Sequence, residues 1–261
     1  WRLGSVSMLW CCPGMTVLKP GDPEAVTALF DSIASRYDSF NDWLSLGLHR
    51  VWKREAVLWI QPRPGQRLVD LCCGTGDLAL LMAARVRPGG LVLGIDAAAA
   101  PLQLAARRSA ARPWLPLQWL QGDALATGVE DGWADGAVMA YGLRNLRDPA
   151  AGLRELRRLL RAGGRAAVLD FNRHDPSRED PGWRRRRSEL ARGFQQLYLR
   201  QLVVPLADRA GIREEYAYLE ASLERFLIGR DQEKLALDAG FSQARHRPLA
   251  AGQMGLLQLI A

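Results

Sequence analysis

The sequence predicts an α/β fold, a parallel sheet with helices on both faces. Three observations carry this. From residue 67 onward, short apolar runs alternate with helical patterns, as βαβ units do. The first run, Leu68-Val69-Asp70-Leu71-Cys72-Cys73, ends in Gly74-Thr75-Gly76-Asp77, and Leu78-Ala79-Leu80-Leu81-Met82-Ala83 follows at helical spacing. The first three strand tips each bring an acid, Asp70, Asp96 and Asp123. In an open α/β sheet such tips share the edge where ligands bind.

The elements follow in order. Residues 1–21 read as a tail; 1–14 are expected to be disordered, and Met15 is the more credible start. Residues 22–62 read as a helical lid. Asp22-Pro23-Glu24 opens it with a cap and a Pro at the first helical position, and Val26, Leu29, Phe30, Ile33 and Tyr37 make one apolar face. Residues 37–52 mix aromatic with polar groups more than a plain core helix requires, so the lid is expected to line a site. Pro62 and Pro64 close it.

Strand one is expected at 67–73, strand two over Leu91–Asp96, strand three at 117–121 before Gly122-Asp123-Ala124, and strand four from Ala134 to Tyr141. A helix is expected at 149–161, stopped by Gly163-Gly164, with strand five ending in Asp170-Phe171. Residues 172–232 interrupt the alternation as a cap insertion containing Arg184-Arg185-Arg186-Arg187. A helix at 233–239 and a closing strand pair, one of them an antiparallel edge strand, complete one domain over 22–261.

Composition narrows the class. The chain has 261 residues, and 48% hydrophobic with 24% charged content marks a soluble globular protein. No run reaches the ~18 apolar residues of a membrane span. The net charge of +7 is almost all Arg, since only Lys19, Lys53 and Lys234 are lysines. With so much Ala and Gly, codon bias accounts for a large share of it. The four cysteines form the adjacent pairs Cys11-Cys12 and Cys72-Cys73, which is neither a zinc spacing nor a disulfide framework. A reducing compartment and no metal are expected.

The ligand is argued from charge. Gly74-x-Gly76-x-x-Ala79 satisfies the loose dinucleotide fingerprint. Asp70 before the turn and Asp77 at the helix mouth would repel a diphosphate. The same acids suit S-adenosylmethionine, which has an ammonium, a sulfonium and no phosphate. Asp96 is expected to accept from ribose hydroxyls, and Asp123 from the adenine amine.

Residues 37–52, the turn 70–77, Tyr141-Gly142-Leu143-Arg144-Asn145, Arg158-Leu159-Leu160-Arg161-Ala162-Gly163-Gly164 and Tyr216-Ala217-Tyr218-Leu219 together resemble the ubiquinone/menaquinone biosynthesis C-methyltransferases, the UbiE/MenG family. Asn41 through His49 is similar to its cyanobacterial and plastid branch, which methylates demethylphylloquinone. The resemblance implies the class I (Rossmann-like) methyltransferase fold with a seven-stranded, mostly parallel sheet. It places the cofactor on Asp70, Gly74, Thr75, Gly76, Asp77 and Asp96, with Asp123 and Ala124 at the adenine and Ala140 where the family often has Ser. The Phe40 position lacks the family's usual Met, Arg161-Ala162 replaces Lys-Pro, and Ala97-Ala98-Ala99-Ala100 is unusually bare.

The implied reaction is C-methylation of a prenylated quinol. Arg144 is expected to polarise the hydroxyl, with Asn145 and Tyr141 positioning the ring and His49 or Asp170 relaying the proton. A cytoplasmic protein peripheral to the membrane is expected, with no nucleic-acid partner; a homo-oligomer is compatible with this. Among the rivals, an amine-methylating RNA enzyme lacks its Asn/Asp-Pro-Pro-aromatic segment after strand four, and a cytosine C5 enzyme lacks its cysteine. Asp70 and Asp77 disfavour a nicotinamide dehydrogenase. Arg144-Asn145 speaks against a non-catalytic cofactor-binding partner in a quinone-synthesis complex.

Overall fold

In the computed structural model, residues 22–31, 47–173, 222–223, 225–252 and 254–261 are described. The expectations for residues 1–21, for Asn41 through Leu46, for the basic run 184–187 and for Tyr216–Leu219 lie outside them.

Seven strands form one sheet: β1 (Arg67–Leu71), β2 (Leu91–Asp96), β3 (Leu117–Gln121), β4 (Ala134–Ala140), β5 (Leu160–Phe171), β6 (Gln243–Leu249) and β7 (Met254–Ile260). Their spatial order is β3-β2-β1-β4-β5-β7-β6. β1 to β5 pair in parallel, and β7 runs antiparallel to both β5 and β6. The antiparallel strand therefore lies one place in from the edge, with β6 outside it. The described helices are α1 (residues 23–31), α2 (Leu48–Ile60), α3 (Asp77–Ala83), α4 (Ala99–Ala110), α5 (Pro149–Leu159) and α6 (Gly229–Asp238).

The inner strands are buried on both faces, so neighbouring residues serve two cores. Leu68, Val138, Ala167 and Leu169 face the side that carries α2 and α3, whereas Val69, Ala137, Ala166 and Val168 face the side of α5 and α6. This is the period of two that a pleated strand imposes. α2 is fastened to β5: Trp59 Nε1 donates to the Ala166 carbonyl at 3.0 Å, and the Arg165 guanidinium lies 5.2 Å from the Trp59 ring centroid.

Several boundaries differ from the sequence expectation: β4 ends at Ala140, one residue early, and α6 starts at Gly229 and not at 233. β1 ends at Leu71, because Cys72 takes a left-handed φ of 58° and turns the chain. α5 ends at Leu159, not 161, because Leu160 already pairs with Ala134 in the sheet. Gly163-Gly164 lies inside β5, where the register with β4 shifts and the Gly163 N–H donates to the carbonyl of Ala261.

Strand order reverses between β1 and β4. Chain crossovers leave from that point in both directions, so the carboxyl ends of β1 and β4 frame a crevice.

Candidate active site

The crevice is built by tight turns. Both Cys72 after β1 and Tyr141 after β4 carry positive φ, 58° and 60°. Such conformations cost non-glycine residues about 1–3 kcal/mol and cluster at functional sites. The two turns touch: a Cβ on Gly142 would lie 2.8 Å from the Cys72 Cβ. Gly76 (φ 82°) is held by a second constraint, since a Cβ there would lie 2.5 Å from the Trp119 ring. Gly74 (φ 53°) faces open space.

One cavity lies over these turns. It is lined by Asp70, Gly74, Thr75, Asp77, Asp96, Asp123, Ala124, Ala140, Tyr141 and Asn145, and by Pro23, Val26, Thr27 and Phe30 of α1 and Lys53 of α2. The structure thus brings the acids of three strand tips into one space, which α1 borders. The sequence-selected Gly76, Arg144, His49 and Asp170 do not line the cavity.

The acids differ in state. Asp70 is buried, and its Oδ2 accepts from the Ala79 N–H at 2.8 Å. Its Oδ1 is buried with no hydrogen-bond partner. Burial pushes this carboxyl up to about 8; the Ala79 N–H and the Lys53 charge pull it back, while Asp96 and Asp77 push it further up. Asp77 is also substantially buried, which alone would raise it. However, its oxygens take Lys53 Nζ at 2.8 Å and Arg108 Nη2 at 2.6 Å, and these cations hold it at about 2. Contrary to the sequence expectation, Asp77 does not repel a diphosphate, because two cations neutralise it. Asp96 accepts from the N–H groups of Gly74 (2.7 Å) and Ala98 (3.0 Å), and burial raises its pKa. Asp123 is half-exposed and accepts from the Leu125 N–H. Burial raises Cys72 and Cys73 well above the usual thiol range, so neither is a thiolate nucleophile.

Arg144 lies behind the cavity wall. Its Nη1 donates to Asp170 Oδ1 at 2.6 Å and to the Tyr141 carbonyl at 3.1 Å, and its backbone N–H donates to Asp170 Oδ2. Its guanidinium lies 5.0 Å from the Phe171 ring centroid. Asn145 Nδ2 donates to the same Tyr141 carbonyl at 2.8 Å. Arg144 and Asn145 therefore fix the strained Tyr141 turn. Asp170, whose carboxylate takes Arg144 and the Phe171 N–H, is committed to this post and is not poised to relay a proton. His49 is buried on α2, one turn before Lys53.

Sequence reasoning missed four supports. Lys53 had a signal: with His49, Ala56, Val57 and Ile60 it shares the buried stripe of α2, where a lysine is out of place. Arg108 donates to the Thr75 carbonyl and hydroxyl as well as to Asp77. Asp31 of the lid accepts from the Ala100 N–H at 2.8 Å, supplying the cap that Ala98 cannot give α4. Glu155 accepts from the Thr127 N–H and hydroxyl and pairs with Arg158, pinning the loop that carries Asp123 and Ala124.

A family model described as the ubiE/COQ5 methyltransferase family matches residues 15–257. The chain belongs to that family. The ubiE/COQ5 assignment makes it a methyltransferase, and its relatives agree. It is 46% identical, over 89% of its length and 96% of theirs, to the 2-phytyl-1,4-naphtoquinone methyltransferase of Trichormus variabilis. It is 48% identical to the protein of that name in Synechococcus elongatus, over 90% and 96%. To the chloroplastic 2-phytyl-1,4-beta-naphthoquinone methyltransferase of Arabidopsis thaliana it is 37% identical, over 93% and 88%. Among solved structures, a SAM-dependent methyltransferase of Aquifex aeolicus matches at a TM-score of 0.56 and 15% identity, over 92% of this chain and 98% of that one. One of Thermotoga maritima matches at 0.59 and 16%, over 89% and 98%. These two show the fold alone.

The ubiE/COQ5 chain's residues fit S-adenosylmethionine. The unpartnered Asp70 Oδ1 suits an ammonium, Asp96 keeps lone pairs for hydroxyls, and Gly74 leaves open space above the turn.

Proposed function

We propose that this methyltransferase adds a methyl group to a ring carbon of a demethylated prenyl naphthoquinol, demethylphylloquinol in the first instance and demethylmenaquinol as the alternative. The observation that carries the substrate is the likeness, over nine-tenths of the chain, to proteins named as methyltransferases of 2-phytyl-1,4-naphthoquinone. S-adenosylmethionine, when bound, supplies an electrophilic methyl group. Asp70, Gly74, Thr75, Asp77 and Asp96 hold it in this reading, Gly76 shapes the turn beneath it, and Asp123, Ala124 and Ala140 lie around the adenine end.

The chemistry asks two things of the chain. A quinone carbon is not nucleophilic, whereas a quinol carbon becomes so once a ring hydroxyl loses its proton. The ring must be aligned, and alignment supplies up to ~7–11 kcal/mol. The developing phenolate must also be stabilised. Tyr141 and Asn145 line the cavity and position the ring. Arg144 acts through them: it holds the Tyr141 carbonyl while its charge is paired with Asp170. It is a positioning residue, not the base. His49 is assigned no step. Each transfer replaces a ring hydrogen by methyl and releases one proton.

The enzyme is further proposed to work in the cytoplasm at the membrane surface, where a prenylated substrate resides. The +7 charge and Arg184-Arg185-Arg186-Arg187 support this. The deciding experiment supplies S-adenosylmethionine labelled in its methyl group together with demethylated naphthoquinol or benzoquinol. Label in the naphthoquinol is expected. Label in neither quinol, or in the benzoquinol alone, overturns the proposal.

A further inference from the structure

Lys53 is a charged side chain in the wrong place for a structural one. It sits on the buried stripe of α2, 7% exposed, and lines the cavity. An ammonium has three donors. One goes to Asp77 Oδ2 at 2.8 Å, and the face of Tyr141 lies 6.0 Å away. Lys53 is not the sole partner of Asp77, because Arg108 holds the other carboxylate oxygen at 2.6 Å. Asp70 lines the same cavity, and its Oδ1 is buried and unpartnered. A cation with spare donors and a carboxylate oxygen with no donor thus border one space. That pairing is complementary to a zwitterion, the amino-acid end of S-adenosylmethionine.

We propose that Lys53 is a cofactor-binding residue whose ammonium takes the α-carboxylate of that end, while Asp70 Oδ1 takes its α-ammonium. This rests on the methyltransferase reading. It gives the lid a second task. α2 is then a contributor to the cofactor site as well as a cover, and the site selects ligands that carry a carboxylate.

The test is a calorimetric titration of the full chain with two ligands, S-adenosylhomocysteine and 5′-methylthioadenosine. They share the adenosine and the thioether, and only the first has the amino-acid end. In Lys53→Met the first ligand is expected to weaken about 10- to 100-fold, the loss of one charged hydrogen-bonded contact, with the second unchanged to within about twofold. Lys53→Arg is expected to restore most of the loss. Unchanged binding of S-adenosylhomocysteine to Lys53→Met overturns the proposal. So does equal weakening of both ligands, which marks a displaced lid. Wild-type protein that binds neither ligand sinks the methyltransferase reading, and this proposal with it.

Discussion

Asp70 makes cofactor binding a proton-release reaction. With its carboxyl at about 8 in the ligand-free site, it is about nine-tenths protonated at pH 7. Pairing with an ammonium requires the carboxylate. Binding of S-adenosylhomocysteine is thus expected to release about 0.9 proton at pH 7, and its affinity should rise about 50-fold between pH 6 and 8. The assay is calorimetry at each pH in two buffers of different ionisation enthalpy, where the slope of the apparent enthalpy counts the protons. In Asp70→Asn the release and the pH dependence should both vanish, with weaker binding throughout. Stability supplies a second readout. The folded state holds a proton that the unfolded chain gives up from about pH 4, so the ligand-free enzyme should lose up to ~1.4 kcal/mol per pH unit until pH 8 and level off above it. A wild-type affinity that is flat from pH 6 to 8, with no proton released, refutes the reasoning.

Three further outcomes follow from the geometry. Asp96→Ala removes the acceptor of the Gly74 and Ala98 N–H groups and should raise the S-adenosylhomocysteine dissociation constant about 10- to 100-fold by calorimetry. Arg144→Ala should abolish methylation while leaving that constant unchanged, and should cost about 3–5 kcal/mol in denaturant unfolding because Asp170 stays buried without its partner; Arg144→Ala with Asp170→Ala should regain stability but not activity. Gly76→Ala forces a Cβ to 2.5 Å from Trp119 and should lower stability by about 2–4 kcal/mol, whereas Gly74→Ala, pointing into open space, should weaken cofactor binding with a smaller loss of stability.

The sheet was legible because its strands obey local rules. The limits of β3 were read at 117–121, and those of β2 at Leu91–Asp96, because each apolar run stops at a polar tip. The order β5-β7-β6 was not legible, since a period of two marks a strand and says nothing about its neighbour. The strand tips foretold where the acids meet, because the fold sends all parallel strands to one edge. Side chains on turns were another matter. Arg144 follows β4 as expected, yet a 3-10 turn aims it at Asp170 and away from the cavity. Lys53 is legible only from its spacing, which puts it on the apolar stripe of α2 with His49, Ala56, Val57 and Ile60.

The same turn now excludes a dinucleotide for a different reason. Repulsion by two bare acids does not survive, because Lys53 and Arg108 neutralise Asp77 and the ligand-free Asp70 holds a proton. What a pyrophosphate needs from a glycine turn is free N–H groups at the helix mouth. Here the Gly74 N–H is taken by Asp96 Oδ2 at 2.7 Å, the Gly76 N–H by the Cys73 carbonyl at 2.9 Å, and the Ala79 N–H by Asp70 Oδ2 at 2.8 Å. Two carboxylates and a backbone carbonyl thus occupy three donors that a phosphate could use. Among the residues that line the cavity, Asp70 and Asp96 bring acceptors and Lys53 an ammonium. A nucleoside with a zwitterionic end meets all three, and a diphosphate meets only the last.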